Sequence, residues 1–142
     1  MHPWAHERFG AARVARLATV SEAGSPHLVP VVFALVGGNV WIVIDAKPKS
    51  TRRLKRLANI AAHPSVSLLV DHYEDDWHQL WWVRADGVAT VLPIDAPEAG
   101  SGLSALHAKY EQYQADPPDG PLIRIAIATW RSWAADDPAP RT

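Results

Sequence analysis

Apolar residues in this chain come first in short runs set apart by turn residues, and later at helical spacing. Arg16-Leu17-Ala18-Thr19-Val20 is followed by the turn Ser21-Glu22-Ala23-Gly24-Ser25-Pro26, the apolar stretch 27–36, the turn Gly37-Gly38-Asn39 and the run Val40-Trp41-Ile42-Val43-Ile44. Links this short leave no room for crossover helices, so the pattern predicts a three-stranded antiparallel meander. Pro30 lacks a ladder donor, which places its strand at an edge or a bulge where the backbone faces something other than a neighbouring strand. A ligand is one such thing. Residues 5–15, a mixture of charges and small apolar side chains, read as a short helix.

From Ser50 the period changes. Leu54, Leu57, Ala58 and Ala61 fall at helical spacing, Ser50 and Thr51 offer capping hydroxyls, and Pro64 stops the helix. Val66-Ser67-Leu68-Leu69-Val70 is a fourth strand, and the acidic loop Asp71-His72-Tyr73-Glu74-Asp75-Asp76 precedes a fifth over 79–92, with a bulge expected at Gly87. Pro97 opens a second helix marked by Leu103, Leu106, Tyr110 and Tyr113, which the breaker Asp116-Pro117-Pro118-Asp119-Gly120-Pro121 ends. Leu122, Ile123, Ile125 and Ile127 give a sixth strand that extends into Trp130 and Trp133. Six strands with two inserted helices predict a mainly β, six-stranded antiparallel barrel, because the βαβ rhythm of a parallel sheet is missing. Residues 1–135 form one expected domain, and the polar, Pro-rich tail 136–142 is expected to be disordered.

At 142 residues the chain is long enough for one real core. The lack of cysteine excludes a disulfide framework, a thiolate nucleophile and cysteine-based metal sites. The N-terminus has no signal-peptide stretch, and the longest apolar run, 29–36, is too short to span a bilayer, so a soluble cytoplasmic protein with no membrane partner is expected. A formal charge of −1 argues against a general nucleic-acid binder. Seven tryptophans are many for this length, and some are expected at a pocket or a subunit interface.

The positive charge is local. Six of the ten residues 47–56 are basic (Lys47, Lys49, Arg52, Arg53, Lys55 and Arg56), where a strand hands over to a helix. Helix N-terminal N–H groups are unsatisfied and the dipole is positive there, so a phosphate or carboxylate at Ser50 and Thr51 would meet backbone donors as well as cations. A solvated, charged helix face is the plainer alternative. Trp81 and Trp82 are adjacent within a strand, so one ring faces each side of the sheet, one in the core and the other under a helix, a partner subunit or a planar ligand. Arg84 shares the face of Trp82, placed equally well for a surface salt bridge or for ligand contact. Asp71, His72, Asp76 and His78 match no standard metal-ligand spacing, and no hydrolase elbow, Walker loop, dinucleotide fingerprint or zincin motif is present.

Taken in order, Arg16-Leu17-Ala18-Thr19-Val20, Gly24-Ser25-Pro26-His27-Leu28-Val29-Pro30-Val31-Val32-Phe33, Lys47-Pro48-Lys49, Asn59, Pro64 and Val66-Ser67-Leu68-Leu69-Val70 resemble the pyridoxamine-phosphate-oxidase-like split barrels that bind FMN or F420. Within them the chain is most similar to the actinobacterial, F420-dependent branch. The resemblance covers roughly residues 8–133 and implies a homodimer with two flavin-type sites between subunits. It implies that Lys47, Lys49, Ser50, Thr51 and Arg52 or Arg53 hold the cofactor phosphate. Val29, Pro30, Val31 and Val32 would back the ring, with Trp41, Ile44 and Asp45 nearby, and Trp77, Trp82 and Arg84 would approach from the partner. Two departures matter: the segment between Lys49 and Pro64 is longer than usual by about two helical turns of ~3.6 residues each, and Trp130-Arg131-Ser132-Trp133 does not reproduce the C-terminal arginine pattern that grips pyridoxine phosphate.

The implied activity is an F420-dependent oxidoreductase that passes a hydride from the deazaflavin to a small organic acceptor of quinone, enone or tetrapyrrole type, with Tyr73, His72 or His78 available as proton sources. An FMN enzyme of the same fold, and a non-catalytic carrier of flavin, haem or tetrapyrrole, are the alternatives.

Overall fold

The computed structural model describes residues 2–45 and 51–136, with residues 51–54 described for their backbone alone. Helix α1 (Pro3–Ala11) leads into β1 (Ala15–Val20), β2 (Pro26–Val31), β3 (Ala34–Val36) and β4 (Asn39–Val43). After α2 (Thr51–Ala62) come β5 (Ser65–His72), a 3-10 turn at Trp77–Gln79 and β6 (Trp81–Leu92). A second 3-10 turn (Pro97–Ala99) opens α3 (Gly100–Lys109), followed by α4 (Glu111–Ala115) and β7 (Leu122–Ala134).

All the strands join one antiparallel sheet in the order β2-β1-β5-β6-β7-β4-β3. The expectation of a six-stranded split barrel is therefore corrected in its strand count, to seven, and the strands form one sheet that is not closed. The stretch 27–36 is not one strand of a meander but two short strands at opposite edges, parted at Val32 and Phe33. Pro30 does lie on an edge strand. Because β2 and β3 are consecutive, the two edges of the sheet come together at Phe33, where side chains from the α3–α4 junction replace the missing ladder. The Phe33 N–H donates to Tyr110 Oη at 3.1 Å, the Tyr110 hydroxyl lies 2.9 Å from the Phe33 and Arg13 carbonyl oxygens, and Lys109 Nζ donates to the Phe33 and Gly10 carbonyls at 3.0 Å each. Tyr110 is extended (φ −120°, ψ 113°), so the single helix expected through Tyr113 is broken there into α3 and α4.

Side chains alternate along each strand, and the inward set forms the main core. Leu17, Val66, Leu68, Val70, Val83, Ala85, Ile123 and Ile125 meet Ala5 and Phe9 of α1, which plugs the interior. Phe9 packs edge-on against Trp130, with centroids 5.0 Å apart. The irregularity expected at Gly87 is present: the β6–β7 register shifts there, leaving Ala128 unpaired. A Cβ on Gly87 would strike the Ala126 carbonyl, so only glycine fits. A smaller second core lies outside the sheet, where Ala34, Trp41, Val43 and Leu122 are covered by Ala99, Leu106 and Tyr110. Gly102 of α3 sits against the Trp41 indole so closely that a side chain there would enter the ring. No helix among the described residues is long and apolar enough to cross a membrane.

Candidate functional site

Helix α3 covers only the β3–β4 end of the outer sheet face. Beyond the Leu92 and Leu122 ends of β6 and β7, which also lie under α3, the outward residues of β1, β5, β6 and β7 are covered by no helix among the described residues, and their order follows from the register, because directly opposed residues share a face. One rung carries Asp71, Trp82 and Trp133, the next Arg16, Leu69, Arg84 and Arg131, and the next Ala18, Ser67, Asp86 and Thr129. An open cleft of about 420 Å³ is lined by Leu69, Asp71, Tyr73, Trp82 and Arg84. Exposed apolar side chains border this face or its loops: Leu28 (67% exposed), Tyr73 (62%), Trp77 (75%) and Trp133 (41%). Isolated exposed apolar residues are ordinary, but several gathered on one uncovered sheet face mark an interaction surface.

The charges on this face are ordered. Arg84 grips Asp86 through Nε and Nη2 at 3.0–3.2 Å, Ser67 Oγ donates to the same carboxylate at 2.7 Å, and Arg16 Nη1 lies 3.3 Å from Asp71. Partial desolvation pushes the Asp86 carboxyl up. The hydrogen bonds from Ser67 and Arg84 and the charges of Arg84 and Arg131 outweigh it and hold the carboxyl below its usual range.

The structure places the sequence-derived candidates unequally. Lys47, Lys49 and Ser50 lie outside the described residues; Thr51, Arg52 and Arg53 form the first turn of α2, and their side chains lie outside them as well. Helix α2 starts where the capping signal put it and is tied to β1 by Asn59 Nδ2 to Thr19 Oγ1 at 3.1 Å. In β2, Val29 and Val31 turn toward the core, whereas Leu28 and Pro30 face out, and Val32 packs against the second core. Trp41 is buried under α3, Ile44 is buried in the main core, and Asp45 is half-buried. Trp82 and Arg84 come together on the open face, Trp81 packs on the core side, and Trp77 stands exposed on its turn. His72 pairs with Glu74, and His78 Nδ1 lies 3.4 Å from Asp136; both histidines line a second cleft of about 460 Å³ with Arg8 and Trp81. Sequence reading missed Leu28, Leu69, Asp86, Arg131 and Trp133 as surface partners of Trp82 and Arg84. Their common face depends on cross-strand register and on the extra residue Ala128, and no local pattern announces either.

Residues 1–134 match the family described as pyridoxamine 5'-phosphate oxidase. The chain belongs to that family. No curated protein matches it. Among solved structures of similar fold, a FAD-binding protein from Mesorhizobium loti is 22% identical (TM-score 0.69), the match covering 93% of this chain and 94% of that one. A protein described as an F420 reductase is 18% identical (TM-score 0.68; 92% and 98% covered), and the haem storage protein HutZ of Vibrio cholerae is 17% identical (TM-score 0.68; 92% and 89%). At such identities the likeness establishes the fold, and the ligands in those names belong to those proteins.

Proposed function

We propose that the chain is an F420-dependent oxidoreductase working as a homodimer, with its cofactor held between subunits. The observation that carries this reading is the uncovered outer face, where edge strand β2 presents Leu28 and Pro30 and the neighbouring strands present Trp82, Trp133 and a cluster of arginines. A flat, anionic coenzyme fits that donor set: apolar and aromatic side chains take a ring, and cations take phosphate and carboxylate. The basic run 47–56 would hold the phosphodiester and acidic tail, with Lys47, Lys49, Ser50 and Thr51 nearest and Arg52 or Arg53 beside them. Its six cations suit F420 better than the single phosphate of FMN. When bound, the deazaflavin supplies a hydride to an organic acceptor. The protein's own part is to orient ring and acceptor and to exclude water by closing one subunit's outer face against the other.

Fluorescence titration with F420 and with FMN tests the assignment. Tight F420 binding with weak FMN binding is expected, and Lys49→Ala is expected to weaken F420 by about 1–3 kcal/mol, the range for losing a charge-assisted contact. Unchanged affinity in Lys47→Ala, Lys49→Ala and Arg52→Ala alike would reduce the basic run to a solvated helix face. Oxidation of the reduced-cofactor complex by a panel of quinones and enones separates enzyme from carrier.

A further inference from the structure

Cations gather where α1 hands over to β1, and among the described residues no carboxylate answers them. Arg13 Nη2 donates to the Lys109 carbonyl at 2.9 Å, and the Arg13 guanidinium and the Lys109 ammonium both lie over the Tyr110 ring, at 4.9 and 5.3 Å. Burial, and after it the Arg13 charge, lowers the Lys109 ammonium to about 8, as expected where nothing acidic relieves the two cations. Within α1, Arg8 is held over the Trp4 and Trp81 rings at 5.0 and 5.3 Å. Among the described residues neither Arg8 nor Arg13 has an ion pair.

Both arginines line an open groove of about 400 Å³ between the end of α1 and the end of β5, whose apolar part is Ala11, Ala12, Val14 and Val70. Asp71, His72 and Trp81 complete its wall. Asp71 is taken by Arg16, and His72 by Glu74, so the charges of Arg8 and Arg13 are left over. Trp81 packs on the core side of the sheet, which puts the groove on the α1 side, away from the outer face assigned to the coenzyme. Asp71 is the one residue that lines both this groove and the outer cleft.

We propose that this groove binds a small amphipathic carboxylate, with its apolar body on Ala11, Ala12, Val14 and Val70 and its anionic group held by Arg8 and Arg13. The site is separate from the coenzyme face and does not depend on what that face binds. An inorganic anion would leave the apolar part bare, and a neutral amphiphile would leave both guanidinium groups to water. Arginine suits the task because its planar fork binds a carboxylate through two parallel hydrogen bonds. The two indoles hold the Arg8 fork in place beforehand, so less side-chain freedom is lost on binding.

Titration of the full chain with cyclohexanecarboxylate, and separately with the uncharged cyclohexanecarboxamide, followed by backbone amide shifts in NMR spectra, reads both charge preference and location. The acid is expected to bind about tenfold more tightly than the amide, on the order of one charge-assisted contact, and to move the amide signals of Ala11, Ala12 and Val14. Arg8→Gln is expected to remove most of that preference while leaving amide affinity unchanged, and Arg8→Lys to restore part of it. Arg13→Gln should act in the same direction; because Arg13 also ties the Lys109 carbonyl, the Arg8 pair decides if that variant melts early. Equal affinity for acid and amide in the unaltered protein overturns the proposal. So does a preference that survives Arg8→Gln. Displacement of the acid by saturating F420, or shifts confined to Leu69, Trp82 and Arg84, would put the anion on the outer face and overturn it as well. If the acid does not bind and Arg8→Gln shifts the sedimentation-measured dimer equilibrium, the groove is a subunit contact and the proposal fails.

Discussion

The outer face of one sheet is used in two ways. At the β3–β4 end it is apolar and covered by α3: Trp41, Val43 and Leu122 are buried, and Gly102 lets the helix backbone approach the Trp41 ring. Beyond Leu92 and Leu122, the same face across β1, β5, β6 and β7 carries arginines, aspartates, two tryptophans and a leucine, and among the described residues no helix lies on it. The inner face is alike under both regions, filled by Val, Leu, Ile and Ala. What differs is the cover. A surface closed by its own chain is selected for packing, whereas a surface left for another molecule keeps charge and aromatic rings in register. The first region supports stability, and the second is where binding is expected.

That contrast is broken or sharpened by substitution. The largest effect is expected from Trp41→Ala, which removes a buried aromatic side chain from the covered region and should destabilise by about 3–5 kcal/mol in urea unfolding. A loss below about 1 kcal/mol would mean that α3 contributes little. Next comes Tyr110→Phe at the seam between the sheet edges. It leaves the Phe33 N–H without an acceptor, for a cost of about 1–3 kcal/mol, and amide exchange at Phe33 should accelerate.

A pH effect follows at the same seam. Desolvation first, and the Arg13 charge second, lower the Lys109 ammonium to about 8. Its unfolded counterpart retains the proton to higher pH, so between pH 8 and 10 the unfolded chain binds more protons and stability should rise with pH. Burial raises the Tyr110 phenol, so its contribution runs the opposite way above the ordinary tyrosine range and bounds the window. Lys109→Met should flatten the rise, and an unaltered slope in that variant would show that Lys109 is not its source. The smallest effect is expected on the open face. Arg84→Ala removes a part-buried ion pair at the surface and should change monomer stability by no more than about 1 kcal/mol. A loss as large as that of Trp41→Ala would erase the distinction between the two regions.

Much of the architecture was legible in the chain. Turn residues at 21–26 and 37–39 marked the hairpins, Pro64 and the 116–121 breaker bounded the helices, and Gly87 announced its irregularity. The run Val40-Trp41-Ile42-Val43-Ile44 read as one strand, and its lack of alternation matches burial on both faces. The stretch 27–36 misled because it is apolar almost throughout, so neither its break at Phe33 nor the outward parity of Leu28 and Pro30 shows in its pattern. That break is decided by distant partners, Lys109 and Tyr110, which satisfy the backbone where no strand does.

Local chemistry therefore determined where elements start and stop, which residue types fill them, and where cations concentrate, because propensity, capping and chain geometry act over a few neighbours. The pairing of sheet edges, the covering of Trp41 and the meeting of Arg16, Arg84 and Arg131 on one rung came only with the tertiary structure. Cross-strand register joins residues more than a hundred positions apart, and a single unpaired residue, Ala128, sets which side chains of β7 face outward.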